Sequence, residues 1–155
     1  MIIREVDPIA EALSVLEAAK DGAERSGLPH LFPRNEDDFI QAVGRIVTLP
    51  GMEILGAEEN GKFVGGIGIM YIPYLWDPKR QLAEQIFWWT AKDAPFGTAR
   101  KLVEEALRRM RHRGATPALR ALEGTTGGIK RLYLKLGLKP IETLYIGQEP
   151  WRSSH

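Results

Sequence analysis

The feature that most constrains this chain is a strand that runs straight into a glycine turn and then an amphipathic helix, over residues 81–113. The bulky apolar run Ile86-Phe87-Trp88-Trp89 leads into Ala94-Pro95-Phe96-Gly97-Thr98-Ala99. Beyond the turn, Ala99, Leu102, Val103, Ala106, Leu107 and Met110 keep one helical face apolar as far as Gly114. The first amides of a helix have no intrahelical acceptor, and the macrodipole places its positive end there. A glycine in front of them lets a ligand approach the backbone closely, so this turn is the expected anion cradle.

The remaining elements follow from period and punctuation. Residues 1–6 read as a short strand, and Asp7-Pro8 as a helix start, a capping side chain followed by proline at the first helical position. Ile9, Ala12, Leu13, Leu16 and Ala19 then recur at helical spacing up to Gly22. Residues 26–34 read as a loop. A second helix opens at Asn35, with Asp38 three residues later as in a capping box, and Phe39, Ile40, Val43, Ile46 and Val47 as its buried stripe. Two strands, 53–59 and 62–71, flank the hairpin signal Asn60-Gly61. Residues 71–80 are expected to form a loop and 81–90 the next strand. After the long helix come a strand at 116–123, a glycine-threonine loop at 124–128, a short helix at 129–136 ended by Gly137, and a last strand at 138–147. No repeat or linker interrupts the 155 residues, which predicts one mixed α/β domain spanning 1–155.

Composition narrows the chemistry. There is no cysteine, which removes disulfides, thiolate catalysis and a cysteine-acyl intermediate. His30, His112 and His155 have no metal-ligand spacing, so no metal is expected. The net charge of +1 gives no general reason to bind nucleic acid or membrane. With neither a signal-peptide pattern nor a long apolar run, the expected location is cytoplasmic. The cluster Arg108, Arg109, Arg111, His112 and Arg113 reads as a helix C-terminus favouring cations, with Glu104 and Glu105 four residues before Arg108 and Arg109.

The element order and two short motifs resemble the GCN5-related N-acetyltransferase (GNAT) superfamily. Its pyrophosphate loop, Gln/Arg-x-x-Gly-x-Gly/Ala, reads here Ala94-Pro95-Phe96-Gly97-Thr98-Ala99, with Ala94 in place of the usual Arg or Gln. Its Tyr-x-x-x-Gly-Phe helix ending reads Tyr133-Leu134-Lys135-Leu136-Gly137-Leu138, with Leu138 in place of the aromatic. Upstream, Thr126 and Ile129 stand where the family often has Asn and Ala. The resemblance implies a mixed, mostly antiparallel sheet flanked by about four helices, with a central parallel strand pair opening at the cofactor cleft.

The resemblance also implies direct acetyl transfer from acetyl-CoA to an amine, either a small molecule or a protein. Gly97, Thr98, Ala99 and Arg100 would bind the pyrophosphate, with the Thr98 hydroxyl as an added donor. Trp89 and Thr90 would lie along the cofactor arm, where this family's strand presents backbone donors. Tyr133 would be the acid that protonates the departing thiolate, and Glu84 the base that accepts the amine's proton. A one-residue slip of the strand would bring Gln85 to the face expected for Glu84. Trp88 and Trp89 must face opposite sides, one in the core and the other along the groove. Many members dimerise, so a homodimer is a further implied partner. Two other readings are a GNAT-like module that binds CoA or a protein without catalysis, and a nucleic-acid binder using the basic helix end.

Overall fold

The computed structural model describes residues 1–25, 35–121 and 128–141. These form a five-stranded sheet in the order β1-β2-β3-β4-β5, made of β1 (Ile2–Glu5), β2 (Met52–Glu59), β3 (Lys62–Tyr74), β4 (Asp77–Thr90) and β5 (Thr116–Ala118). The first four strands are antiparallel neighbours, and β4 and β5 run parallel. Helices α1 (Ala12–Arg25) and α2 (Glu36–Thr48) cover one face, while α3 (Thr98–His112) and α4 (Gly128–Lys135) cover the other. This is the mixed, mostly antiparallel arrangement with one parallel pair that the sequence implies.

Several local expectations hold for physical reasons the structure makes visible. Asn60 (φ 51°) and Gly61 (φ 78°) both adopt left-handed backbone, as a two-residue hairpin of this kind requires. The Asn35 side chain accepts from the Asp38 amide at 2.8 Å and donates to its carboxylate at 2.7 Å. Asp7 accepts from the amides of Ile9 and Ala10, and its own amide donates to Glu11, but these bonds close a turn over residues 8–11, and α1 itself begins later than Asp7-Pro8 predicts, at Ala12.

Others are corrected. The first helix buries Ala12, Val15, Leu16 and Ala19, whereas Ile9 and Leu13 are exposed. Similarly, Ile40 lies on the outer face of α2. Residues 71–80 form no loop: β3 and β4 continue past the rest of the sheet as a two-stranded arm closed at Leu75-Trp76. Proline is tolerated there because the Tyr71 amide donates to Gly51 on the β2 side, so the Pro73 nitrogen, two residues on, points to the same side. The β2 ladder has already ended there, at Met70. Of the strand expected at 116–123, the described residues 116–121 pair only at Thr116–Ala118. Residues 138–141 are irregular; the rest of the expected last strand, residues 26–34, and most of the glycine-threonine loop lie outside the described residues.

On the face covered by α1, small residues make room for flat-lying rings. A Cβ at Gly68 would collide with the Phe87 ring, and one at Gly66 would come within 2.8 Å of Trp89 Nε1 and of Val15. Phe87 and Trp89 lie opposite Gly68 and Gly66 in the ladder, so the cross-strand glycines let α1 close on the sheet. The opposite face buries Leu55, Ala57, Ile67, Ile69 and Ala83 beneath Leu102, Val103, Ala106 and Met110 of α3.

Candidate active site

The site begins where β4 and β5 part. Their parallel pairing covers Leu82 with Thr116, Ala83 with Pro117 and Glu84 with Ala118, and then stops. Beyond Glu84 the β5-side edge of β4 has no strand among the described residues. Which backbone groups face that edge follows from the ladder. The Ala91 amide donates to the Val64 carbonyl, so Trp89, of the same parity, faces β3, while Trp88 and Thr90 direct their backbone groups to the open side. Side chains obey the same alternation: Trp89 is buried against α1, and Trp88 packs on the α3 side, so the two rings do face opposite ways.

A bulge decides which polar residues reach the site. The β3–β4 register shifts between Gly68 and Ile69, where Phe87 and Gln85 face consecutive β3 residues and Ile86 is the extra one. An uninterrupted strand would put Glu84 on the same face as Trp88. The extra residue reverses the parity, so Gln85 joins Ala83 on the α3 face, and Glu84, opposite Met70, joins the α1 face. Glu84 is partly exposed there, and Arg120 Nη2 donates to its carboxylate at 3.1 Å.

Gln85 is buried and meets Tyr133 on α4. The Tyr133 hydroxyl lies 3.1 Å from Gln85 Oε1 and 3.1 Å from the Arg120 carbonyl oxygen. The Arg120 amide approaches the same Gln85 oxygen at 3.4 Å. Burial pushes the Tyr133 phenol up to about 12. The helix carrying it ends in a left-handed Gly137 (φ 82°), with the Leu138 amide donating back to the Tyr133 carbonyl. Tyr, Gly and the following apolar residue therefore occupy the third-last, left-handed and next positions of a Schellman ending, which gives the Tyr-x-x-x-Gly motif a local structural reason.

The open edge leads to the glycine turn. Gly97 caps α3 in left-handed backbone (φ 86°), without a side-chain cap and with nothing within 4 Å of where a Cβ would be. Among the described residues, the amides of Gly97, Ala99 and Arg100 have no backbone acceptor. Thr98 differs from its neighbours: its amide and hydroxyl both donate to the Pro95 carbonyl, at 3.1 and 2.7 Å, and its side chain is buried. Arg100 is exposed and pairs with Glu104 at 2.7 Å. The chemistry of this turn fits an anion: three amides without a backbone acceptor among the described residues lie at the positive end of α3, and the space beside Gly97 is open.

At the basic end of α3, Arg108 pairs with Glu105, and Arg109 with Glu105, Glu53 and Glu5. The expected Glu105–Arg109 pair is present at 3.0 Å, whereas Glu104 turns to Arg100 instead of Arg108.

No family model and no curated protein matches the sequence. Solved structures do match in fold. An aminoglycoside acetyltransferase from an uncultured soil metagenomic sample is 21% identical, with a TM-score of 0.72 over 97% of this chain and 98% of that one. A GCN5-related N-acetyltransferase from Ralstonia eutropha JMP134 is 18% identical, with a TM-score of 0.71 over 94% and 97%. A predicted acetyltransferase from Clostridium acetobutylicum, solved with acetyl-CoA, is 16% identical, with a TM-score of 0.69 over 94% and 95%. The chain has the fold of the GCN5-related N-acetyltransferases.

Reading the sequence does not find Gln85 or Arg120 as partners of Tyr133. The run Ile86-Phe87-Trp88-Trp89 is apolar at every position, so it carries no alternation from which the bulge could be read.

Proposed function

We propose that this protein transfers an acetyl group from acetyl-CoA directly to an amine. The observation that carries the proposal is the open edge of β4, running from Tyr133 and Glu84 to the acceptor-less amides at Gly97. Those of Gly97, Ala99 and Arg100 would hold the pyrophosphate, with the α3 dipole behind them. The end of β4 at Trp89 and Thr90 would lead the pantetheine arm inward, and the outward backbone groups of Trp88 would pair with it.

Acetyl-CoA supplies the activated acyl group as a thioester. An amine of ordinary basicity is protonated near neutral pH, and Glu84 would accept that proton, from the α1 side of the strand. The nitrogen lone pair forms the C–N bond, the C–S bond breaks with its electron pair going to sulfur, and the nitrogen, positively charged after the attack, sheds its second proton to solvent. Tyr133, on the other face, would give its proton to that sulfur. Phenol and carboxylate return to their starting states by proton exchange with solvent. The neighbours' aminoglycoside acceptors make a polyamine sugar the first acceptor to try, beside a lysine-containing peptide.

Calorimetric titration of acetyl-CoA tests the cofactor site. Micromolar binding is expected in the wild type, and Gly97→Glu is expected to lose it. Tyr133→Phe should then lower kcat about 100-fold with little change in acetyl-CoA affinity; full activity in that variant would remove Tyr133 as the acid. A second reading is supported by the occupied state of both catalytic candidates, since Glu84 is paired with Arg120 and the Tyr133 hydroxyl is bound twice. Under it, the protein binds CoA without catalysis, and acetyl-CoA binding without thiol release from any amine would favour it.

A further inference from the structure

The partners of the Tyr133 hydroxyl fix its role more narrowly than its position does. The Arg120 amide can only donate, so the Gln85 atom facing it is the amide oxygen. The same oxygen faces the Tyr133 hydroxyl, and the second atom facing that hydroxyl is a carbonyl oxygen. Tyr133 can therefore only donate toward these partners, its single proton shared between them, and no described group donates to its oxygen. A phenolate at this position would face two acceptors with no donor among the described residues to stabilise it, in keeping with the upward displacement of the phenol by burial.

The same oxygen also bridges the gap where the sheet opens. Strand pairing ends at Glu84–Ala118, and one residue further along β4 the Gln85 side chain reaches the Arg120 backbone in its place. A side chain thus takes over from the ladder at the apex of the cleft. Gln85 reaches this position only because the bulge at Ile86 reverses the strand's parity.

We propose that Gln85 is a positioning residue for acetyl transfer, its amide oxygen pinning the cleft apex through the Arg120 amide and holding the Tyr133 hydroxyl proton-bearing until a thiolate forms. This rests on the acetyltransferase reading above. When the C–S bond breaks, the sulfur anion outcompetes the neutral amide oxygen for the hydroxyl, because hydrogen bonds to charged acceptors are the stronger ones. The proton moves from phenol to sulfur. The phenolate left beside Gln85 is the form this site destabilises, so it draws a proton back from solvent once CoA leaves.

The test compares wild type, Gln85→Leu and Gln85→Glu. Acetyl-CoA affinity is measured by calorimetry, and turnover by thiol release from acetyl-CoA with water as the acceptor, which needs no known amine. Leucine fills the space of glutamine but accepts no hydrogen bond; glutamate keeps an oxygen for both donors. The expected result is a kcat about 10- to 100-fold lower in Gln85→Leu, with acetyl-CoA affinity within about twofold of wild type, and only partial recovery in Gln85→Glu, whose carboxylate restores the pinning of the Arg120 amide but holds the hydroxyl proton more tightly than a neutral oxygen does. Equal kcat in wild type and Gln85→Leu would overturn the positioning role and leave the acetyltransferase reading intact. A parallel loss of affinity and turnover in both variants would also overturn it, by showing only a structural part. Wild-type protein that binds no acetyl-CoA would overturn the broader reading and this inference with it, a result visible in the first titration.

Discussion

The two ends of α3 are built on opposite principles. At the C-terminal end Arg108, Arg109 and Arg113 each have a carboxylate partner. The Glu53 carboxylate is almost wholly buried, with Arg109 at 2.6 Å, Arg113 at 3.3 Å and the Tyr71 hydroxyl donating at 2.9 Å. Arg113 also lies over the Tyr71 ring, and burial together with the Glu53 bond pushes the Tyr71 phenol up. The helix closes in a left-handed Gly114, with the Ala115 amide returning to the Met110 carbonyl. At the N-terminal end, the amides of Gly97, Ala99 and Arg100 have no backbone acceptor among the described residues, and no side chain caps the helix. Buried polar groups are costly when unpaired, so a helix closed at one end and open at the other separates the end that holds the fold from the end that can take a ligand.

The sharpest way to break this comparison is to exchange the chemistry of one end and watch the other. Gly97→Glu places a side chain on left-handed backbone and a negative charge among the cradle amides. Acetyl-CoA affinity should fall by at least about 100-fold, equivalent to about 2.7 kcal/mol. Calorimetry reads the loss. Glu53→Ala should do the reverse. It removes the main partner of the partly buried Arg109 and leaves the Tyr71 hydroxyl without its acceptor, at a cost of about 3 kcal/mol in urea unfolding. Acetyl-CoA affinity should stay within about twofold. A variant that lost affinity and stability together would show that the two ends are coupled.

Acid should weaken the closed end. The Arg108 hydrogen bond, opposed by burial and reinforced by the Arg109 bond, holds Glu105 down from the ordinary 4.5 to about 2. A carboxylate depressed in the folded state stabilises the fold above its unfolded value and ceases to do so as pH falls through the folded one. Stability should therefore decline between pH 4.5 and about 2. Glu105→Gln should flatten that part of the curve, measured by urea unfolding across the range. An unchanged slope would mean that the Glu105 pairs contribute nothing measurable.

The sequence made legible whatever is written in local chemistry. Asn60-Gly61, Asn35 with Asp38, Gly97 and Gly137 each adopt the conformation that their residue types demand. What it concealed depends on partners distant in the chain. Ile9 and Leu13 fit the helical period of α1, yet the sheet receives Val15 instead, because Gly66 leaves the space that Val15 fills. The arm at residues 71–80 carries Pro73 and Pro78, which locally signal a loop; only the end of the β2 ladder explains why a strand survives there. The spacing admits the exchange of Glu84 for Gln85 as a one-residue slip but does not decide it. The exchange turns on one extra residue in a run where every side chain is apolar.

The smallest expected effect sharpens the comparison from the open end. Arg100 lies within the cradle, and a cation there would ordinarily be credited with gripping a phosphate. Its guanidinium is instead mostly exposed and bound to Glu104 one turn along. An exposed pair of this kind contributes little, so Arg100→Ala should change stability by less than about 0.5 kcal/mol. If backbone amides and the helix dipole carry the anion, acetyl-CoA affinity should drop less than about fivefold, or about 1 kcal/mol. The salt dependence of binding should be nearly unchanged, because Glu104 already offsets the charge. A loss of about 50-fold, worth more than 2 kcal/mol, would mean that Arg100 abandons Glu104 for the ligand. The open end would then work through a side chain, as the closed end does, and the contrast between the two would fail.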